Sequence, residues 1–99
     1  MKKIIAIQGD LVFYKINKIP TKAKKRNDKV LVYGESTGHS HRITNGDVYD
    51  YEDRVLFSIP SYAEIVHEEH KPIPFEKGEY EVIRQRQKTG KDMVALVVD

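Results

Sequence analysis

Ninety-nine residues with no cysteine and a formal net charge of only +2 exclude a disulfide-stapled scaffold, a thiolate metal site and a strongly cationic nucleic-acid binder. Charged residues make up 32% of the chain and apolar ones 39%, the balance of a folded globular domain rather than a disordered one. A single domain over residues 1–99 is expected, large enough for one modest core.

In chain order, residues 4–7 are a short β-branched run closed by Gly9-Asp10, which predicts a strand and a turn. The apolar start stops at Gln8, too short for a secretory core. No stretch reaches the ~18 apolar residues a membrane span needs. A cytoplasmic protein with no membrane partner is therefore expected. Leu11–Ile16 predicts a second strand. Residues 17–28 lack apolar periodicity and contain Pro20, so they read as an exposed basic loop. A third strand is expected over residues 29–33. Residues 39–45 alternate as a strand and end at Asn45-Gly46, a strong hairpin signal. Two further strands are expected over 48–51 and 54–59, with Pro60 ending the second. Residues 62–67 fit a strand better than a helix capped by Ser61, because Pro72 and Pro74 leave a helix little room. Glu76-Lys77-Gly78 reads as a turn. Residues 79–87 and 93–98 read as strands joined by a hairpin over 88–91. Eight or nine short strands and no convincing helix predict an all-β fold, a small β-barrel or sandwich.

All four histidines fall in two short segments, Gly34-Glu35-Ser36-Thr37-Gly38-His39-Ser40-His41 and His67-Glu68-Glu69-His70-Lys71-Pro72. On a strand, residues two apart share a face, so His39 and His41 are expected to point into one site. His67 and His70 are three apart and share a site only where the chain bends after His67. In a straight strand Glu69 takes the fourth place instead. Four imidazoles suit a divalent transition metal such as zinc, iron, nickel or manganese. A set of three nitrogens and a carboxylate leaves room for an exchangeable water, next to which Glu68 or Glu69 can act as general base.

Glycine before the His-x-His pair His39/His41, then a later histidine and Pro72-x-Pro74-x-x-x-Gly78-x-Tyr80, resembles the cupin arrangement of a metal site in a small β-barrel. The resemblance implies His39 and His41 as the first ligand pair and His67 or His70 as the last. The glutamate that cupins carry soon after the pair is missing, since Ile43, Thr44 and Asn45 stand there. The chain also resembles small bacterial and phage proteins of unknown activity that carry Gly-Glu-x-Thr-Gly-His-x-His followed by His-Glu-Glu-His. That similarity covers Gly34 to His41 and His67 to His70 and implies no reaction.

Two basic clusters stand out. The first, over residues 22–29, can track phosphates, although a solvated loop is the plainer account. The second includes Arg84 and Arg86. With Tyr80 and Val82 these share a strand face, where they can bind a substrate anion or guard a sheet edge. No nucleophile elbow, Walker pattern or dinucleotide fingerprint is present.

Three functions are consistent with these residues. The first is a metalloprotein with His39, His41, His67 and His70 around one ion, a hydrolase or oxygenase for a small or phosphate-bearing substrate. The second is metal-independent RNA cleavage by histidine acid and base, with Lys71 or Arg42 holding the phosphate; a nucleic-acid partner is the less favoured expectation. The third is a non-catalytic module stapled by a structural ion. Exposed strand edges are compatible with a homodimer.

Overall fold

The computed structural model of the chain describes residues 3–33 and 38–85. These residues form eight strands and no helix: β1 (Ile4–Gln8), β2 (Leu11–Ile16), β3 (Lys24–Lys25), β4 (Val30–Tyr33), β5 (Ser40–Ile43), β6 (Asp47–Tyr51), β7 (Arg54–Val66) and β8 (Ile73–Arg84). All pair antiparallel in one curled sheet, a half-barrel, in the order β1-β2-β8-β7-β5-β4. β6 adds to the first half of β7, and β3 adds to β6. The all-β expectation is met. The hairpin expected over 88–91 and the strand over 93–98 lie outside the described residues.

The β7–β8 hairpin organises the rest. It is longer than the local signals allow, because three expected breakers sit inside it. Pro60 does not end a strand. Between Ile59 and Tyr62 the register on β7 advances three residues while β8 advances two, from Gly78 to Glu76. That extra residue is a β-bulge over Pro60-Ser61, where proline's missing N–H costs no ladder bond. Pro74 is tolerated because the ladder from β2 stops at Glu79, leaving the start of β8 with β7 as its partner. Glu76-Lys77-Gly78, expected as a turn, is extended and lies within β8.

The bulge also explains the packing. Inward side chains on β8 switch phase across residues 76–78, from Ile73 and Phe75 to Tyr80 and Val82. The extra residue on β7 absorbs the switch, so Phe57 stays opposite Tyr80 and Ala63 opposite Phe75. Both pairs therefore point into one core. That core is built around Phe57, which meets Phe13 edge-on at 6.0 Å, Phe75 at 5.7 Å and Tyr80 at 5.2 Å. Such contacts favour a single packing beyond simple area burial. The Tyr80 hydroxyl keeps a partner by donating to the Glu76 carbonyl at 2.8 Å.

The basic loop contains the short strand β3, which sequence periodicity could not show. Arg26 donates from Nε and Nη2 to the two carboxylate oxygens of Asp50, both at 2.8 Å. Lys25 and Lys29 approach Asp47 at 3.7 and 3.9 Å. A paired guanidinium–carboxylate fork of this kind fixes orientation as well as charge. The basic and acidic clusters thus meet each other across β3 and β6.

Candidate functional site

The two histidine segments, 28 residues apart at His39 and His67, come together at one end of the half-barrel. His39 immediately precedes β5 and His41 lies within it, so strand alternation brings both to one side. Their rings stand 5.6 and 4.2 Å from the His67 ring, centroid to centroid. The chain does bend after β7. Residues 67–72 curve between β7 and β8, which brings the His70 ring to 4.7 Å from His67 and 6.0 Å from His41. His67 therefore stands in the middle of the four.

Each part of the bend is held. The Glu69 backbone N–H donates to Nδ1 of His67 at 3.0 Å. Glu68 accepts the Ser40 backbone N–H on Oε1 at 2.9 Å and Arg42 Nη1 on Oε2 at 2.8 Å. Arg42 also donates to the Ser40 hydroxyl at 2.9 Å and its carbonyl at 3.0 Å. Glu68 thus clips the bend onto the start of β5. The Ser40 N–H above all, with help from Arg42, pulls its carboxyl down to about 2. It stays ionised and committed, which leaves it a weak proton acceptor. Glu69 differs: its side chain is 66% exposed and one oxygen lies 3.8 Å from Nδ1 of His39. Lys71 is exposed and contributes its backbone carbonyl.

A residue that sequence reasoning passed over lies beneath the histidines. Gln8 ends β1 and is 3% exposed. Its Nε2 donates to the carbonyls of Ile65 and Lys71, each at 3.0 Å, and its Oε1 lies 2.8 Å from Nδ1 of His41. One amide thereby links β1, the end of β7, the bend and β5. The available signal was phase: Gln8 lies two residues after Ala6, which packs against the core. The next residue, Gly9, has a φ of 61°, and a Cβ there would stand 2.7 Å from Nε2 of His70. A side chain at position 9 is disfavoured both by backbone conformation and by that ring.

The electrostatics follow from burial. His41 is 3% exposed. Loss of water, reinforced by the neighbouring His67, pushes its pKa down to about 4, with Asp10 pulling weakly the other way. Burial, then His70, also lowers His67. Both rings are neutral near pH 7, the form that ligates metals. Arg84 donates from Nε to Asp10 at 2.9 Å and from Nη2 to the Tyr33 carbonyl at 3.4 Å. Tyr80 and Val82, expected on the same face as Arg84, belong to the core. Arg86 lies outside the described residues.

The rings are close but not converged. His41 and His70 stack with 15° between their planes, and His41 and His67 are tilted by 32°. Among the described residues, no three histidine, aspartate or glutamate side chains are already arranged to hold an ion. Among the described residues, no helix is long and apolar enough to cross a membrane.

A family model described as Domain of unknown function (DUF8820) matches residues 7–85, which takes in Gln8, both histidine segments and all of β8. No curated protein and no solved structure matches the chain.

Proposed function

The chain belongs to the DUF8820 family, whose description assigns no activity, and we propose that it is a metal-binding protein that holds one divalent ion among His39, His41, His67 and His70. The observation that carries this reading is the assembly of all four histidines from two separate segments, with neighbouring rings 4.2 to 6.0 Å apart. Around a tetrahedral ion held by ring nitrogens at about 2.0–2.1 Å, imidazole centroids stand about 5 Å apart. The spacing suits an ion, and the orientations require the rings to turn as it enters. An all-nitrogen set favours zinc, nickel or iron over the oxygen-loving cations. Glu69 is the carboxylate best placed to share the ion or act on its water, since Glu68 is tied to Ser40 and Arg42.

RNA cleavage has less support. Arg42, its proposed phosphate holder, is occupied by Glu68. Lys25, Arg26 and Lys29 face Asp47 and Asp50. We place the protein in the cytoplasm, where a cysteine-free chain loses nothing by forgoing disulfides.

The test is titration of chelator-treated protein with zinc and with cobalt. We expect one ion per chain and a cobalt absorption spectrum of a nitrogen-rich site. Alanine at His41 should weaken binding at least tenfold. A folded protein that takes up neither ion above background removes the proposal.

A further inference from the structure

Gln8 offers more than a satisfied interior amide. Its end that faces the Ile65 and Lys71 carbonyls must be the NH2 group, because an oxygen there would meet two other oxygens. Oε1 therefore faces His41, and it can only accept. The proton of the neutral His41 ring must sit on Nδ1, the atom 2.8 Å away. Nε2 is left bare, with its lone pair available.

His67 is set the opposite way. Its Nδ1 accepts the Glu69 N–H, so its own proton is on Nε2. An ion bound through Nδ1 displaces that N–H. An ion bound through Nε2 forces the proton onto Nδ1, where it meets the Glu69 N–H donor to donor. By either route His67 ligates only after the Glu69 hydrogen bond is given up. His41 has no such cost.

We infer that Gln8 is a positioning residue that makes His41 the anchoring ligand through Nε2, with His67 joining only as the 67–70 turn lets go. This inference rests on the metal reading above. A hydrogen-bond acceptor behind a ligating imidazole holds the ring and raises its basicity, and losing such a partner lowers metal affinity by about 10–100-fold. Because Gln8 also holds the Lys71 carbonyl, the residue that readies His41 anchors the far end of the turn that His67 must leave.

The experiment is nitrogen NMR of the imidazoles in chelator-treated wild type, Gln8→Met and Gln8→Glu, followed by zinc titration of each. The wild type should show His41 protonated on Nδ1 and His67 on Nε2. Gln8→Met, which fills the space without an acceptor, should give His41 as a mixture of both forms and weaken zinc binding about 10–100-fold. Gln8→Glu keeps an acceptor toward His41, so it should restore the Nδ1 proton and most of the affinity even where its melting temperature is lower. A purely architectural amide predicts that affinity follows melting temperature across the three proteins, and that result overturns the inference. So does a wild-type His41 carrying its proton on Nε2, a measurement that needs no variant to fold. A wild type with the expected ring forms that binds no ion sinks the metal reading while supporting the control of His41 by Gln8.

Discussion

Lowering the pH should destabilise the metal-free protein in a window set by His41. Its folded pKa of about 4 lies below the ordinary histidine value of about 6.5. The unfolded chain therefore binds the proton first, and stability must rise with pH across that interval. The contribution is complete above pH 6.5 and is lost as pH falls toward 4. Integrating between pH 7.5 and 4.5 gives at most about 2.5 kcal/mol. The ring shares its end of the barrel with the exposed His70, so we take roughly half of that, ~1–1.5 kcal/mol, after allowing for solvent screening. His67 is displaced in the same direction and steepens the slope. Glu68 enters only at the acid end: its carboxyl, held down to about 2, begins to lose its stabilising effect as pH falls through the ordinary carboxylate value and goes on losing it toward pH 2.

Urea unfolding in chelator at pH 7.5, 6.0 and 4.5 measures this. With a slope of about 1.5 kcal/mol/M for a domain of this size, the midpoint should fall by ~1 M between the extremes. In His41→Gln the slope between pH 6.5 and 4.5 should flatten, whatever that variant does to the midpoint at pH 7.5. A wild-type midpoint that holds steady or rises on acidification refutes the argument, because a ring with an ordinary pKa gives no such slope.

Two further outcomes test the fold. Phe57→Ala removes the ring that meets Phe13, Phe75 and Tyr80 and should cost about 3–5 kcal/mol, read as a collapsed urea midpoint or no folded protein. Asp50→Asn breaks the fork to Arg26 on the surface. It should cost only about 0.5–1 kcal/mol, and the loss should shrink in high salt.

The strands were legible where the signal is local. Leu11–Ile16 is an apolar run bounded by Gly9-Asp10. Asn45-Gly46 marks the break between β5 and β6, although the hairpin expected there does not form: the two strands do not pair with each other, and each pairs with a different part of β7. What escaped was set by partners distant in sequence. Pro60 and Gly78 look like breakers until β7 and β8 pair and one bulge absorbs both. Lys24-Lys25 looks like loop until Asp50 and Tyr49 lie beside it. The histidine pairs were visible as a spacing pattern, and the bend that unites His67 with His70 was one of two readings, beside a straight strand that put Glu69 in the fourth place. The commitment of Glu68 to Ser40, 28 residues away, was not expected. Gln8 gave almost no signal, because one glutamine before a glycine is an ordinary strand end. Only the carbonyls of Ile65 and Lys71 determine which way its amide points.

The placement of the site also bears on whether an ion would be a staple or a tenant. None of the four histidines belongs to the apolar core, which runs from Leu11 and Phe13 through Phe57 to Val82. The ladders β2–β8, β6–β7 and β7–β8 close without them. The bend itself is held by Glu68, by Gln8 and by the Glu69 N–H. A core and a bend so supported do not need an ion to form, unlike small zinc domains that unfold on chelation. The ion should then stabilise only by linkage, about 2.7 kcal/mol at a hundredfold excess over its Kd, reduced by the cost of releasing the His67 turn. Chelation should lower the melting temperature by several degrees while leaving one cooperative transition. Full unfolding on chelation would instead mean that the ion assembles this end of the barrel, and that Gln8 and Glu68 are insufficient without it.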